Sequence, residues 1–382
     1  MGMLQAPKTK PSNSCGNYTV FAGDTVFQSS KTTHWGLDRS DSRYPRIVAR
    51  RDDHTPSLFG DPSGAGPPSR RRGGALRAAT PSAATIGLGQ RLPAGLRLGT
   101  SSWSFPGWEG LVYESPSTDG RAAEATLARD GLPIYARHPL FRTVGVDKTF
   151  YRPAGRAEFE RLAAQVPGDF RFLVKMWRGV VERDPIGASA GAAAFLDARV
   201  AEVECVRPAI EGLGDKAGPL LFQFTPMRLH GAREEREFLA RLGAFLRALP
   251  KGPLYAVEVR NRTLVGPELG ELLAACGAIP CLTVHPTMPD PEVQSRELAL
   301  DPSRPLVMRW MLRANHRYGE AKDLYAPFDR LVEPDDASRD GLARLARAAL
   351  GAGLGVWIIV NNKAEGSSPR SVERLAQRIV EG

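Results

Sequence analysis

The sequence predicts an α/β protein: a single-domain TIM (β/α)8 barrel preceded by a disordered N-terminal extension. Three observations predict it. A short apolar, strand-like run recurs about eight times between Arg97 and Val360. Stretches of helical periodicity separate most of these runs. Each run closes on a polar or charged residue: Ser101, Asp147, Lys175, Gln223, Glu258 with Arg260, His285, Arg309, and Asn361 with Asn362. In a (β/α)8 barrel the C-terminal strand ends converge on one mouth, where the active sites of the fold sit. The repeat therefore gives an architecture and an address for a site, but not a reaction.

The strand candidates are residues 97–101, 141–147, 170–175, 219–224, 254–259, 279–284, 306–309 and 355–360. They are short, rich in β-branched and aromatic side chains, and bounded by Gly or Pro. Helices fit residues 122–137, 156–165, 190–211, 233–249, 267–275, 340–350 and 369–380. Pro267 and Pro369 stand where a first helical turn tolerates proline. Phe238, Leu242, Phe245 and Leu249 recur on one helical face. Residues 286–305 lack a helical pattern and are expected to form a long loop over the mouth. Alternating strands and helices imply parallel pairing with right-handed crossovers. A doubly wound open sheet is the rival, but no G-x-G-x-x-G follows a strand.

Composition divides the 382 residues in two. Residues 1–90 are rich in Ser, Thr, Gly, Pro and Arg and show no sustained apolar period. They are expected to be a disordered, low-complexity basic leader, with the barrel domain at 91–382. The net charge of +9 belongs mainly to that leader, which holds 12 Lys or Arg against 6 Asp or Glu. Its Arg70, Arg71 and Arg72 cluster can hold phosphate backbones non-specifically, and a solvated tail is the plainer reading. No apolar run approaches the roughly 18 residues of a membrane helix. Cys15, Cys205, Cys276 and Cys281 form no C-x-x-C pair and read as buried thiols. With no secretory signal pattern, these features point to the cytoplasm and away from a membrane.

From residue 97 onward, six phrases occur in one order. Gly99-Thr100-Ser101-Ser102-Trp103, with Trp108 behind it, comes first. Tyr135-Ala136-Arg137 then leads to Val146-Asp147-Lys148-Thr149-Phe150-Tyr151. After these come Phe170 to Lys175, Gly218 to Gln223, Ala256 to Arg260, and Asn361-Asn362 with Gly366. This series resembles the YecE-like proteins, a functionally uncharacterised TIM-barrel family (domain of unknown function seventy-two), from Arg97 to about Val380. The resemblance implies the barrel fold and a site built on these phrases. There are departures. Where the family carries Thr-His after the third strand, this chain has Val180-Val181-Glu182. Where the family has R-x-H-G, Arg309 is followed by Trp310-Met311-Leu312. Lys148 and Asp147 replace the family's Asn and Glu. The departures imply an altered or inactive member wherever the activity depends on either histidine. His316, beside Tyr318, is the candidate to fill that space.

Strand parity completes the expectation. Lys175 shares a face with Leu173, Gln223 with Leu221, Glu258 with Ala256 and Arg309 with Val307. With those faces inward, the lower barrel is apolar and the mouth is polar. Asp147 and Glu258 set against Lys175, Arg260 and Arg309 leave one surplus cation, and Arg178 makes two. The mouth is therefore expected to accept a small anionic molecule. Lys175 and Glu258 are the candidate catalytic pair. Asp147, Gln223, Arg260, Arg309, Asn361 and Asn362 are candidate ligand-binding residues, with Trp103 and Trp108 as an apolar wall. A purely structural Glu258–Arg260 ion pair competes with that reading. The six histidines show no metal-ligand spacing; His285, closing the sixth strand, could join carboxylates on a divalent cation, but neither a metal nor a cofactor is expected. A metal-independent hydrolase or isomerase acting on a phosphorylated or sugar-like substrate leads. A nucleic-acid protein using the leader, Arg178 and the Trp residues is the alternative, as is a non-catalytic binding barrel. Oligomeric state is left open.

Overall fold

The eight apolar runs pair into a closed ring of parallel strands. They are β1 (Leu96–Thr100), β2 (Thr143–Val146), β3 (Arg171–Lys175), β4 (Ala217–Gln223), β5 (Tyr255–Glu258), β6 (Ile279–Val284), β7 (Leu306–Trp310) and β8 (Val356–Val360). Neighbours in sequence are neighbours in the ring, and β8 closes on β1 with Val360 opposite Thr100. The computed structural model describes residues 75–115, 121–183, 194–313 and 316–382. Most of the predicted leader, with Cys15, His34, His54 and Arg70, Arg71 and Arg72, lies outside the described residues.

Alternation along the strands divides the core in two. Leu173, Leu221, Ala256, Ile279, Cys281, Val307 and Ile359 form a separate buried cluster inside the ring. These are the residues whose parity places Lys175, Gln223, Glu258, Arg309 and Asn361 one step above them. The lower end is stopped by Trp357, with the Arg97 guanidinium 5.1 Å from its ring centroid. The opposite strand faces, including Leu98, Val144, Phe172, Leu220 and Met308, join the larger cluster shared with the helices. Helix Ala232–Ala248 enters that shell through Phe238, Leu242 and Phe245, the face its sequence marks.

Gly99 shows how tightly the ring is drawn. It pairs with Thr143, and an added Cβ would stand 1.9 Å from the Thr143 carbonyl oxygen. Gly99→Ala is therefore expected to cost about 3 kcal/mol by forcing β1 from β2. Gly87→Ala, where an added Cβ meets nothing within 4 Å in helix Ala83–Arg91, is expected to gain about 0.5–1 kcal/mol. Chemical denaturation of both variants checks the contrast.

Four elements differ from the sequence expectation. Residues 75–90, assigned to the leader, carry a strand and nearly all of a helix. Arg77–Ala78 pairs with Tyr113–Glu114, and helix Ala83–Arg91 is capped by Ser82 and buries Leu88. Arg142 ties this helix down through the carbonyls of Leu92 and Pro93. So short a helix, with one apolar residue fully buried, gives too little periodicity to stand out. The 286–305 segment is not all loop. It contains helix Pro291–Glu297, anchored by buried Gln294, which bonds the Thr283 N–H and the Thr283 and Pro289 carbonyls. A polar anchor leaves no hydrophobic period to read. The 122–137 helix breaks at Gly131 into two pieces. Within the described part of 190–211 the helix starts at Ala198 and widens into a π turn at Glu202–Val206. Pro208 lacks the N–H that would bond the Glu204 carbonyl, and the ladder shifts ahead of it.

Candidate functional site at the barrel mouth

The polar strand ends meet as parity requires. Glu258, at the end of β5, is fully buried. Its Oε1 accepts from Arg260 Nε at 2.6 Å and also contacts Arg260 Nη2. Its Oε2 accepts from Arg309 Nη1 at 2.8 Å. The Cys281 thiol faces the same oxygen at 3.7 Å. Arg309 in turn reaches Asp147 Oδ2 at 3.5 Å through Nη2. Four side chains from three parts of the sequence thus form one line: Arg260, Glu258, Arg309, Asp147. Burial alone would raise the Glu258 carboxyl, but Arg260, Arg309 and Lys175 together hold it down at about 2. The same line raises Arg309 further above its ordinary range, chiefly through Glu258 and then Asp147.

Lys175 closes β3 beside this line without joining it. No carboxylate lies within ion-pair distance of its Nζ among the described residues, and the ammonium sits 3.6 Å from the centroid of the Phe150 ring. Burial lowers it to about 8. Asp147 and Glu258 oppose that shift, and Arg309 and Arg260 add to it. Asp147 keeps one oxygen unused: Oδ1 is buried and accepts no hydrogen bond from the described residues. Gln223 is buried beside Glu258, its Cα partner across the β4–β5 pair. Asn361 donates from Nδ2 to Ser101 Oγ at 2.8 Å and so stitches the β8 end to the β1 end.

The structure separates other expected residues from the mouth's chemistry. Asn362 is fully buried, and its Oδ1 accepts from Trp108 Nε1, Ser368 N and Ser368 Oγ. It holds the start of helix Ser368–Glu381 and presents no free acceptor to a ligand. Trp103 is 6% exposed and donates to the Ala128 carbonyl, and Trp108 is wholly buried. Neither ring offers an open wall or a stacking platform. The exposed aromatic residues nearby are Tyr151, next to Phe150, and Tyr318. Arg178 is matched by Glu182 at 2.8 Å and adds no surplus charge. His316 bonds Glu333 at 2.6 Å on a patch shared with Tyr325. His285 bonds Thr287, and burial with Arg260 nearby lowers it to about 4. Among the described residues no group of three His, Cys, Asp or Glu side chains is arranged to hold a metal ion.

One mouth residue escaped the sequence reading. Lys363 follows the Asn361-Asn362 phrase in a short 3-10 turn and is only 2% exposed. Its Nζ lies 4.1 Å from the Tyr318 ring centroid and 5.7 Å from that of Phe328. Burial and Lys322 lower it to about 8, with Asp147 opposing. The signal available was compositional: a lysine beside a strand end in a chain that uses arginine for most of its cations. With Lys363 included, four cations face two carboxylates at the mouth. A cleft of about 430 Å³ opens at the other end of the barrel, lined by Ala278, Ile279, Pro280 and Leu306. A smaller one of about 180 Å³ touches Lys175 from the side of Thr149, Phe159 and Cys205. Convergence of charge, not cavity size, marks the mouth.

A family model described as "Protein of unknown function DUF72" matches residues 97–382. A comparison with curated proteins gave no match. Among solved structures, a DUF72 family protein from Enterococcus faecalis V583 is 17% identical, covering 75% of this chain and 96% of that one with a TM-score of 0.49. A DUF72 family protein from Thermotoga maritima MSB8 is 21% identical, covering 75% and 99% with a TM-score of 0.48. A xylose isomerase-like TIM barrel/4-hydroxyphenylpyruvate dioxygenase fusion protein is 12% identical over 62% of this chain and 38% of that one, with a TM-score of 0.35.

Proposed function

The chain belongs to the DUF72 family, and from that premise we propose that its barrel mouth binds a small anionic molecule, a phosphate or carboxylate borne on a compact, sugar-like ligand. One observation carries the reading: among the described residues, two mouth lysines, Lys175 and Lys363, have no carboxylate within ion-pair distance, beside the line that joins Arg260, Glu258, Arg309 and Asp147. A buried cation is costly unless something neutralises it. An arriving anion would supply the missing charge to both and make charge-assisted hydrogen bonds with Lys175.

The parts divide in a definite way. Glu258 anchors: with both oxygens engaged and its carboxyl near 2, it has no proton to give at neutral pH. Asp147, with Oδ1 free, is the carboxylate fitted for acid or base work beside Lys175. That division suits a metal-independent hydrolase or isomerase. A cytoplasmic setting agrees with the free thiols of Cys205, Cys276 and Cys281. Among the described residues no helix is long and apolar enough to cross a membrane.

The test is calorimetric titration with sulfate, whose charge is constant over the range used. Affinity is expected to stay level from pH 6 to 7.5. Above about 8, where both lysines lose their protons, it should fall about tenfold per pH unit for each linked proton. Absence of saturable binding at any of these pH values would remove the reading.

A further inference from the structure

The matched segment carries 32 arginines and six lysines: Lys148, Lys175, Lys216, Lys251, Lys322 and Lys363. Two of those six stand at the mouth, partly or wholly enclosed. Arginine holds anions as well or better and is the ordinary cation of this chain, but it cannot give up its proton. A lysine can, and its neutral amine is a nucleophile. The two lysines differ in access. Lys363 is covered by Tyr318 and Phe328 and is 2% exposed. Lys175 is only part-buried, at the end of an inward-facing strand position, with its Nζ on the face of Phe150. Arg309 and Arg260 lie close enough to disfavour its charge, and no carboxylate of the described residues stands within ion-pair distance of it. An amine on an apolar ring, beside other cations and open to the mouth, has the surroundings that activate a lysine toward carbonyl carbon.

We propose that Lys175 forms an imine with a carbonyl-bearing anionic compound, a phosphorylated ketone or aldehyde, held in the mouth. The step balances without an oxidant or reductant. The Nζ lone pair attacks the carbonyl carbon, a C–N bond forms, and the carbonyl electron pair moves to oxygen. Nitrogen gives up two protons in all, oxygen leaves as water, and C=N remains. Asp147 is the carboxylate acting most strongly on Lys175, and from beyond ion-pair distance it would move a proton between nitrogen and oxygen through a bridging water. The inference rests on the anion-binding reading for the ligand's placement.

The test traps the imine. The full chain is incubated at pH 8 with dihydroxyacetone phosphate or dihydroxyacetone and sodium cyanoborohydride, then mapped by peptide mass spectrometry. One adduct is expected on Lys175, of the ketone's mass less one oxygen, forming at least tenfold faster with the phosphate. Lys175→Arg should lose the adduct while its thermal unfolding stays that of the wild type, which separates loss of the amine from loss of the fold. Adducts spread over the lysines at the rate of the denatured chain would overturn the imine. If sulfate binds and no adduct forms, the imine fails alone. If the adduct forms at equal rate from both ketones and sulfate does not bind, the imine stands and the anion reading fails.

Discussion

Replacing Glu258 by alanine is expected to destabilise the barrel by about 3–5 kcal/mol, the usual cost of removing one partner from a buried ion pair. The reason is the pair of guanidinium groups it leaves behind. Arg260 and Arg309 are 7% and 1% exposed, and Glu258 satisfies both. Asp147 can neutralise Arg309 in part, from 3.5 Å, but nothing in the line replaces the contact to Arg260. Acid should reproduce the loss. The folded-state carboxyl lies below its unfolded value of 4.5, at about 2. Its stabilisation is therefore complete above about pH 4.5 and is lost as the pH falls through 2, on the order of 3 kcal/mol in all. Urea denaturation of the variant and the wild type at pH 7 and pH 3 checks both statements. A variant as stable as the wild type would mean the line is not closed as described.

Replacing Lys175 by methionine should do the reverse: leave the fold intact and weaken anion binding. The ammonium has no carboxylate partner, so its removal orphans no charge. Burial lowers it from 10.5 to about 8. The unfolded chain then binds the proton more tightly than the folded one, and wild-type stability should rise from pH 8 to 10.5. The methionine variant lacks that rise. Loss of one charge-assisted contact costs about 1.5–3 kcal/mol, or roughly a 10–100-fold weaker anion. Thermal unfolding across pH and sulfate titration measure the two effects separately.

The fold was legible because a parallel barrel writes its pattern locally. Leu173 beside Lys175, Ala256 beside Glu258 and Val307 beside Arg309 each place an apolar residue one step below a polar one, and the ring turns those pairs into an interior cluster and a polar rim. The charged line of the site followed from the same parity. What was not legible depended on non-periodic contacts. Helix Pro291–Glu297 is held by one glutamine. Asn362 carries a capping duty that spacing cannot distinguish from ligand binding. Trp103 and Trp108 look like a wall until packing covers them. Lys363 sits just past a strand end, where alternation no longer says which way a side chain points. The Arg178 charge vanished from the surplus because Glu182 stands one helical turn on.

The most direct measurement is anomalous diffraction from a crystal soaked in tungstate, a tetrahedral oxyanion. The expected result is a single strong site in the barrel mouth with an oxygen within hydrogen-bonding distance of Lys175 Nζ, absent from Lys175→Met crystals. A wild-type mouth empty of tungstate, with the anion bound elsewhere or not at all, would contradict the surplus positive charge on which the reading depends.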